Sequence, residues 1–155
     1  MKKREVIELS AKLNGNQYVQ RVSFENIKEY DFNYPIIVNR RKLAKMVEEI
    51  EADLKELEPT THKTLKEEIT KIIHEAQTGK AESEHREIES ATIKEWVKYD
   101  AWIASNKEYN ELIDKLYNDE STYEVYKFNL EKVDLSKLEI NDAQLDAVFE
   151  MIPEV

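Results

Sequence analysis

Two adjacent glutamate pairs, Glu48-Glu49 and Glu67-Glu68, are the residues of this chain best placed by type and spacing to do chemistry. Magnesium needs several converging carboxylates. In a Glu-Glu-x-x-Glu pattern, carboxylates at steps of three and four share one face of a helix. The position three beyond the second glutamate is Ala52 in one pair and Lys71 in the other, so neither completes the pattern. An ammonium at 71 would oppose the cation. Both pairs are expected on solvated faces of amphipathic helices.

The histidines offer little more. Glu82-Ser-Glu-His85 has the Glu-x-x-His spacing of a di-iron bundle once, where two copies are needed. His74-Glu75 is followed by Ala76, Gln77 and Thr78, so the zinc motif His-Glu-x-x-His is missing. His62 falls just after Pro59 in an expected turn. All three are expected as exposed or capping imidazoles. Gly15 and Gly79 are the only glycines, which excludes a P-loop, a Rossmann turn and a Gly-x-Ser-x-Gly elbow. Without cysteine there are no disulfides, zinc ribbons or thiol catalysis. No catalytic, cofactor-binding or metal-binding residue is assigned, and no cofactor is expected.

Binding remains. Arg40-Arg41-Lys42, with Lys45 one turn on, is the one basic cluster. Trp96, Tyr99, Trp102 and Tyr109 form an aromatic group, the first three at successive steps of three. Such a row is either core or an interface anchor, since aromatics and arginine dominate binding hot spots. Trp96, Tyr99, Trp102, Tyr109, Arg40, Arg41 and Lys42 are thus the candidate protein-binding residues. The formal charge is −10, with a basic head (+4 over residues 1–42) and an acidic end (−7 over residues 119–155). That balance argues against phosphate-driven nucleic-acid binding. The two ends suit contact within a monomer or between subunits, and a homodimer is expected. An acidic mimic of nucleic acid, inhibiting a host defence enzyme, is the reading from another class.

The elements that would position these residues are mainly helical. With 36% charged residues, 2 glycines and 3 prolines, long amphipathic helices have few interruptions. Residues 3–13 carry Val6, Leu9 and Leu13 at helical spacing, and Gly15 is expected as the left-handed cap residue that ends them. Residues 17–24 alternate weakly and are expected as a strand. Helix is expected from about Pro35, with Tyr34 pushed out of the α region by the proline. Leu43, Met46, Val47, Ile50, Leu54 and Leu57 then form its apolar stripe, and Pro59 ends it. Thr64 and Glu67 have capping-box spacing ahead of a helix running to Gly79. Further helices are expected over 88–104 and, from a second box at Ser105 and Glu108, over 105–117. Residues 123–130 look strand-like, and a last helix is expected with Asn141 or Asp142 at its N-cap.

No linker, repeat, leader-like apolar run or 18-residue apolar span is present, so one soluble domain over 1–155 is expected. The fold class is mostly α, an antiparallel bundle of about five or six helices with a small β element.

Three blocks resemble a family of small phage and prophage proteins of Gram-positive bacteria whose function is unknown. These are the first helix with Pro35-Ile-Ile-Val-Asn-Arg-Arg-Lys-Leu43, the segment Asn106-Lys-Glu-Tyr-Asn-Glu-Leu-Ile-Asp-Lys-Leu116, and residues 123–155. Together they span about half the chain; residues 59–102 are longer and richer in aromatics than the family pattern. The resemblance implies a phage origin and a helical architecture, and names no site. With every catalytic pattern incomplete, the expected function is a non-enzymatic accessory protein that binds a phage or host protein, in virion assembly or host control. Its place would be the host cytoplasm or the virion, away from membranes. A MazG-like all-α nucleotide pyrophosphohydrolase, of the type that holds magnesium with Glu-Glu-x-x-Glu and a later Glu-x-x-Asp, is the enzymatic alternative, which the incomplete glutamate pairs resemble only in part.

Overall fold

The computed structural model describes residues 1–78 and 93–154. The fold is mostly α: α1 (Lys3–Asn14), α2 (Tyr30–Leu57), α3 (Thr60–Gln77), α4 (Tyr99–Asn118) and α5 (Asp142–Val148), with 3-10 turns at Leu135–Lys137 and Phe149–Met151. The chain divides into two compact units, Met1–Ala52 with Tyr117–Val155, and Asp53–Leu116. Gly79, Glu82, His85 and the start of the expected 88–104 helix lie outside the described residues. Among the described residues no helix is long and apolar enough to cross a membrane.

The first unit is built around α2. Val6, Leu9 and Leu13 of α1 are buried, as their spacing predicts. Gly15 then ends the helix at φ 72° and ψ 178°, positive in φ as expected but outside the left-handed helical region, in backbone space that side chains with a Cβ avoid. A Cβ there would sit 2.8 Å from the Arg21 amide nitrogen and 2.9 Å from the Val19 carbonyl oxygen. The expected strand over 17–24 is not formed. Asn16 Oδ1 accepts from the amides of both Tyr18 and Val19 at 2.8 Å, which turns the chain instead of extending it.

α2 starts at Tyr30, five residues ahead of Pro35, and Tyr34 is helical. The local bias of a pre-proline residue is overridden by anchoring upstream. The Phe32 and Asn33 amides donate to the Glu29 carbonyl, Asn33 Nδ2 donates to the Ile27 carbonyl at 2.8 Å, and the Phe32 ring stacks on Phe128 with centroids 5.1 Å apart. A proline this early costs one intrahelical bond. Further along, Leu43 and Ile50 are buried on the expected stripe.

The expected β element is also absent among the described residues, where the one bridge is an isolated pairing of Lys2 with Glu120. Residues 123–130 form neither helix nor strand and have no partner strand among the described residues. The Phe128 amide donates to the Met151 carbonyl at 2.9 Å, and the backbone of Tyr126 bonds to a side chain. Asn39 Oδ1 accepts from the Tyr126 amide at 2.8 Å and from the Tyr123 hydroxyl at 2.8 Å, while its Nδ2 donates to the Tyr126 carbonyl at 2.7 Å and to Pro35 O at 2.9 Å. At Tyr126 one fully buried carboxamide thus takes the place of a neighbouring strand. Burial raises the Tyr123 phenol well above its ordinary value, so it remains a donor.

α5 closes the unit and is capped as expected. Asn141 Oδ1 accepts from the Gln144 amide at 2.8 Å and Gln144 Oε1 accepts from the Asn141 amide at 3.1 Å. The Gln144 Nε2 also reaches Ser23 O at 2.9 Å. Lys12 meets Asp146 at 2.9 Å and the N-terminal amine meets Glu120 at 3.2 Å, so the basic head and acidic end contact each other within this unit.

In the second unit α3 and α4 run antiparallel, with His62 against Asn106 and Glu68 against Lys98. Neither expected capping box forms. α3 already begins at Thr60, and Thr64 Oγ1 donates back to Thr60 O at 3.1 Å. Ser105 lies inside a continuous α4, its hydroxyl donating to Trp102 O at 2.9 Å. Helix-compatible flanks extend each helix past a box whose residues bond backward instead.

Replacing Asn39 with Ala strands the Tyr126 amide and carbonyl and the Tyr123 hydroxyl. Buried groups left unpaired cost about 1–3 kcal/mol each before relaxation. Asn39→Ala is expected to lower the unfolding free energy by about 3 kcal/mol or more, measured by urea denaturation; a loss below about 1 kcal/mol would mean that the clamp is dispensable.

Candidate functional site

The residues singled out from sequence divide between the two units. Arg40 is half-buried: its Nε donates to Leu13 O at 2.8 Å, one terminal nitrogen donates to Val22 O at 3.1 Å, and its guanidinium lies 5.7 Å from the Phe24 ring centre. Burial, and then the charge of Arg21, lower its pKa. Lys42 Nζ donates to Glu124 O at 2.6 Å and sits 5.8 Å from the Tyr123 ring centre. Arg41 is exposed, as is Lys42, and among the described residues it has no such strut role.

Trp102 and Tyr109 come together on His62. The Trp102 and His62 rings stack at 5.0 Å and 20°, and Tyr109 approaches the same imidazole at 5.0 Å and 56°. His62 is buried, contrary to the expectation of an exposed or capping imidazole. The reason is its place in the first turn of α3, facing α4. Its Nε2 is 2.8 Å from Asn106 Oδ1 and therefore donates, while Nδ1 faces Glu58 Oε2 at 3.3 Å without hydrogen-bond geometry. The Tyr109 hydroxyl donates to Leu54 O at 3.1 Å. Trp96 and Tyr99 do not continue this cluster as one helical row. Residues 96–98 form a turn, with the Tyr99 amide on Trp96 O at 3.0 Å, so the steps of three break before α4 begins. All four aromatics are half-buried.

The glutamate pairs do not converge. Glu48, Glu49 and Glu67 are exposed, and Glu68 receives the Lys98 ammonium at 2.9 and 3.0 Å. No group of three or more possible metal ligands occurs among the described residues.

A different surface stands out in the first unit. Tyr30, Tyr34 and Ile37, at steps of four and three on α2, are 71%, 41% and 44% exposed, and Arg41 extends the line by four more. The Tyr30 and Tyr34 rings stack at 5.5 Å, and Tyr126 (43% exposed) meets Tyr34 edge-on at 6.1 Å. A cleft of about 290 Å³ runs along this side between Tyr30, Tyr34, Tyr126, Lys127 and Lys132. A second, of about 380 Å³, lies on the other side of the stripe between Phe24, Ile36, Ile37 and Arg40. Exposed apolar side chains in contact with one another, rimmed by cations, are the composition of a protein-binding patch. The 30/34/37 spacing was present in the sequence. Pro35, which favours a helix start, hides the turn before it.

No family model matches this chain, and no curated protein or solved structure does.

The His62 cluster sets up a stability test. His62→Ala removes both ring contacts and the Asn106 hydrogen bond, and is expected to cost about 2–4 kcal/mol. Trp96 and Trp102 are the only tryptophans and both belong to the second unit. Tryptophan emission in the variant should therefore lose its transition at lower urea than the wild type; coincident transitions would remove His62 from the packing account.

Proposed function

We propose that this chain is a non-enzymatic phage or prophage accessory protein that acts by binding another protein through the exposed face of α2. The observation that carries this reading is the tyrosine cluster: Tyr30 and Tyr34 on the helix, joined by Tyr126 from residues 123–130. Tyrosine brings a large contact area with only two side-chain torsions to freeze, which suits an interface anchor. The scaffold beneath is rigid in the sense that matters, because the Asn39 clamp ties the segment bearing Tyr126 to the helix bearing the other two. The phage context, in virion assembly or host control, comes from the resemblance of the three sequence blocks.

The alternatives find less support. Glu68, half of one glutamate pair, is occupied by Lys98. In the acidic end, Asp146 is occupied by Lys12 and Glu120 by the N-terminal amine. The same contacts satisfy, within one chain, part of the charge complementarity that suits a homodimer.

Affinity capture from infected or lysogenic cells tests the proposal when wild type is run beside Tyr30→Ser/Tyr34→Ser. A protein bound by the wild type should be lost from the double variant, each substitution weakening binding by about 30-fold if the residue is a hot spot of ~2 kcal/mol. Equal capture by both forms would contradict the assigned face. Turnover of nucleotides with magnesium by the purified wild type would contradict the non-enzymatic reading.

A further inference from the structure

The cleft between Phe24 and α2 has a composition that the tyrosine patch lacks. Its floor is apolar, with Phe24, Ile27 and Ile36 buried and Ile37 partly exposed beside it. Its rim carries three cations, Arg21, Lys28 and Arg40, against one carboxylate, Glu25. Main-chain carbonyls pin the Arg40 guanidinium, as described above. Carbonyl oxygens accept from two of its nitrogens without cancelling its charge. Among the described residues no carboxylate lies within 4.0 Å of the Arg21 or Arg40 guanidinium. A half-buried cation next to another cation is an unfavourable arrangement unless something anionic enters.

We propose that this cleft receives an acidic side chain of a protein partner, its carboxylate against Arg21 and Arg40 and an adjoining apolar group on Phe24 and Ile37. The inference rests on the protein-binding reading of α2 and gives the partner a chemistry: an acidic segment with an apolar anchor. Arg suits this role because its planar fork takes a carboxylate through two parallel hydrogen bonds. The occupied Nε and terminal nitrogen leave the other side of the Arg40 fork for the ligand. Ile37 belongs to both the cleft and the exposed stripe, so one partner can cover the tyrosines and reach the cations together.

The test uses the full chain and small probes, so it does not depend on the partner's identity. N-acetylphenylalanine supplies a carboxylate on an apolar body, N-acetylphenylalanine amide removes the charge, and inorganic phosphate removes the apolar body. Each is titrated into labelled protein while the Arg40 Nε–H and Ile37 methyl resonances are followed. The acid should shift both resonances saturably; the amide and phosphate should bind at least about tenfold more weakly, the value of one charge-assisted hydrogen bond. Arg21 is exposed, so Arg21→Gln should keep the fold and weaken the acid by about threefold. Equal binding of acid and amide, equal binding of acid and phosphate, or no binding of the acid would each overturn the inference. Should the probes fail while Tyr30→Ser/Tyr34→Ser still abolishes capture, the acidic-partner inference falls and the docking face stands. Should the probes bind while capture is unchanged, the cleft stands without the α2 face.

Discussion

The buried carboxamide of Asn39 is the interaction on which the first unit depends. A non-helical segment next to a helix has backbone donors and acceptors that a helix cannot pair, because the helix has spent its own. Asn39 supplies both an acceptor and a donor from one side chain, matching the amide and carbonyl of Tyr126. The Tyr123 hydroxyl takes the remaining lone pair. An aspartate would present no donor to the two carbonyls, and a leucine of similar volume would satisfy none of the groups. This clamp fixes Tyr123 and Tyr126 along α2 and so places Tyr126 against Tyr34, while the Phe128 amide, held by the Met151 carbonyl, sets the Phe128 ring against Phe32. Core and surface therefore share one organising contact.

Helical periodicity was legible in the sequence wherever an apolar stripe faced a core. Val6, Leu9 and Leu13 in α1, and Leu43 and Ile50 in α2, are buried as their spacing demands. The Gly15 stop and the Asn141 cap followed from local chemistry. What escaped were boundaries and pairings decided by tertiary contacts. Pro35 masked the first turn of α2, whose start is held by the Glu29 and Ile27 carbonyls. Residues 123–130 have strand composition, but composition cannot tell pairing with a strand from pairing with a side chain. Thr64 and Ser105 have cap spacing in helices that already run through them.

The same division explains the candidate site. Sequence reasoning found the chemically heavy residues but not their surroundings. Trp102 and Tyr109 were recognised, and the buried His62 between them was not, because no local pattern marks an imidazole that faces another helix. Arg40 was recognised as basic, yet its bonds to Leu13 and Val22 are long-range and invisible to spacing. Tyr30, Tyr34 and Ile37 carry the helical spacing of a stripe, and only their exposure separates that stripe from a core one. Exposure is a property of the assembled fold.

The central claim is that the α2 face carrying Tyr34 is where a partner protein sits. Site-specific photo-crosslinking tests it most directly, with a benzophenone amino acid at position 34 and, as a control, at position 103, an exposed isoleucine of the second unit. In infected or lysogenic cells the account predicts a discrete protein adduct from position 34 and none from position 103. An adduct from position 103 with none from position 34 would contradict it.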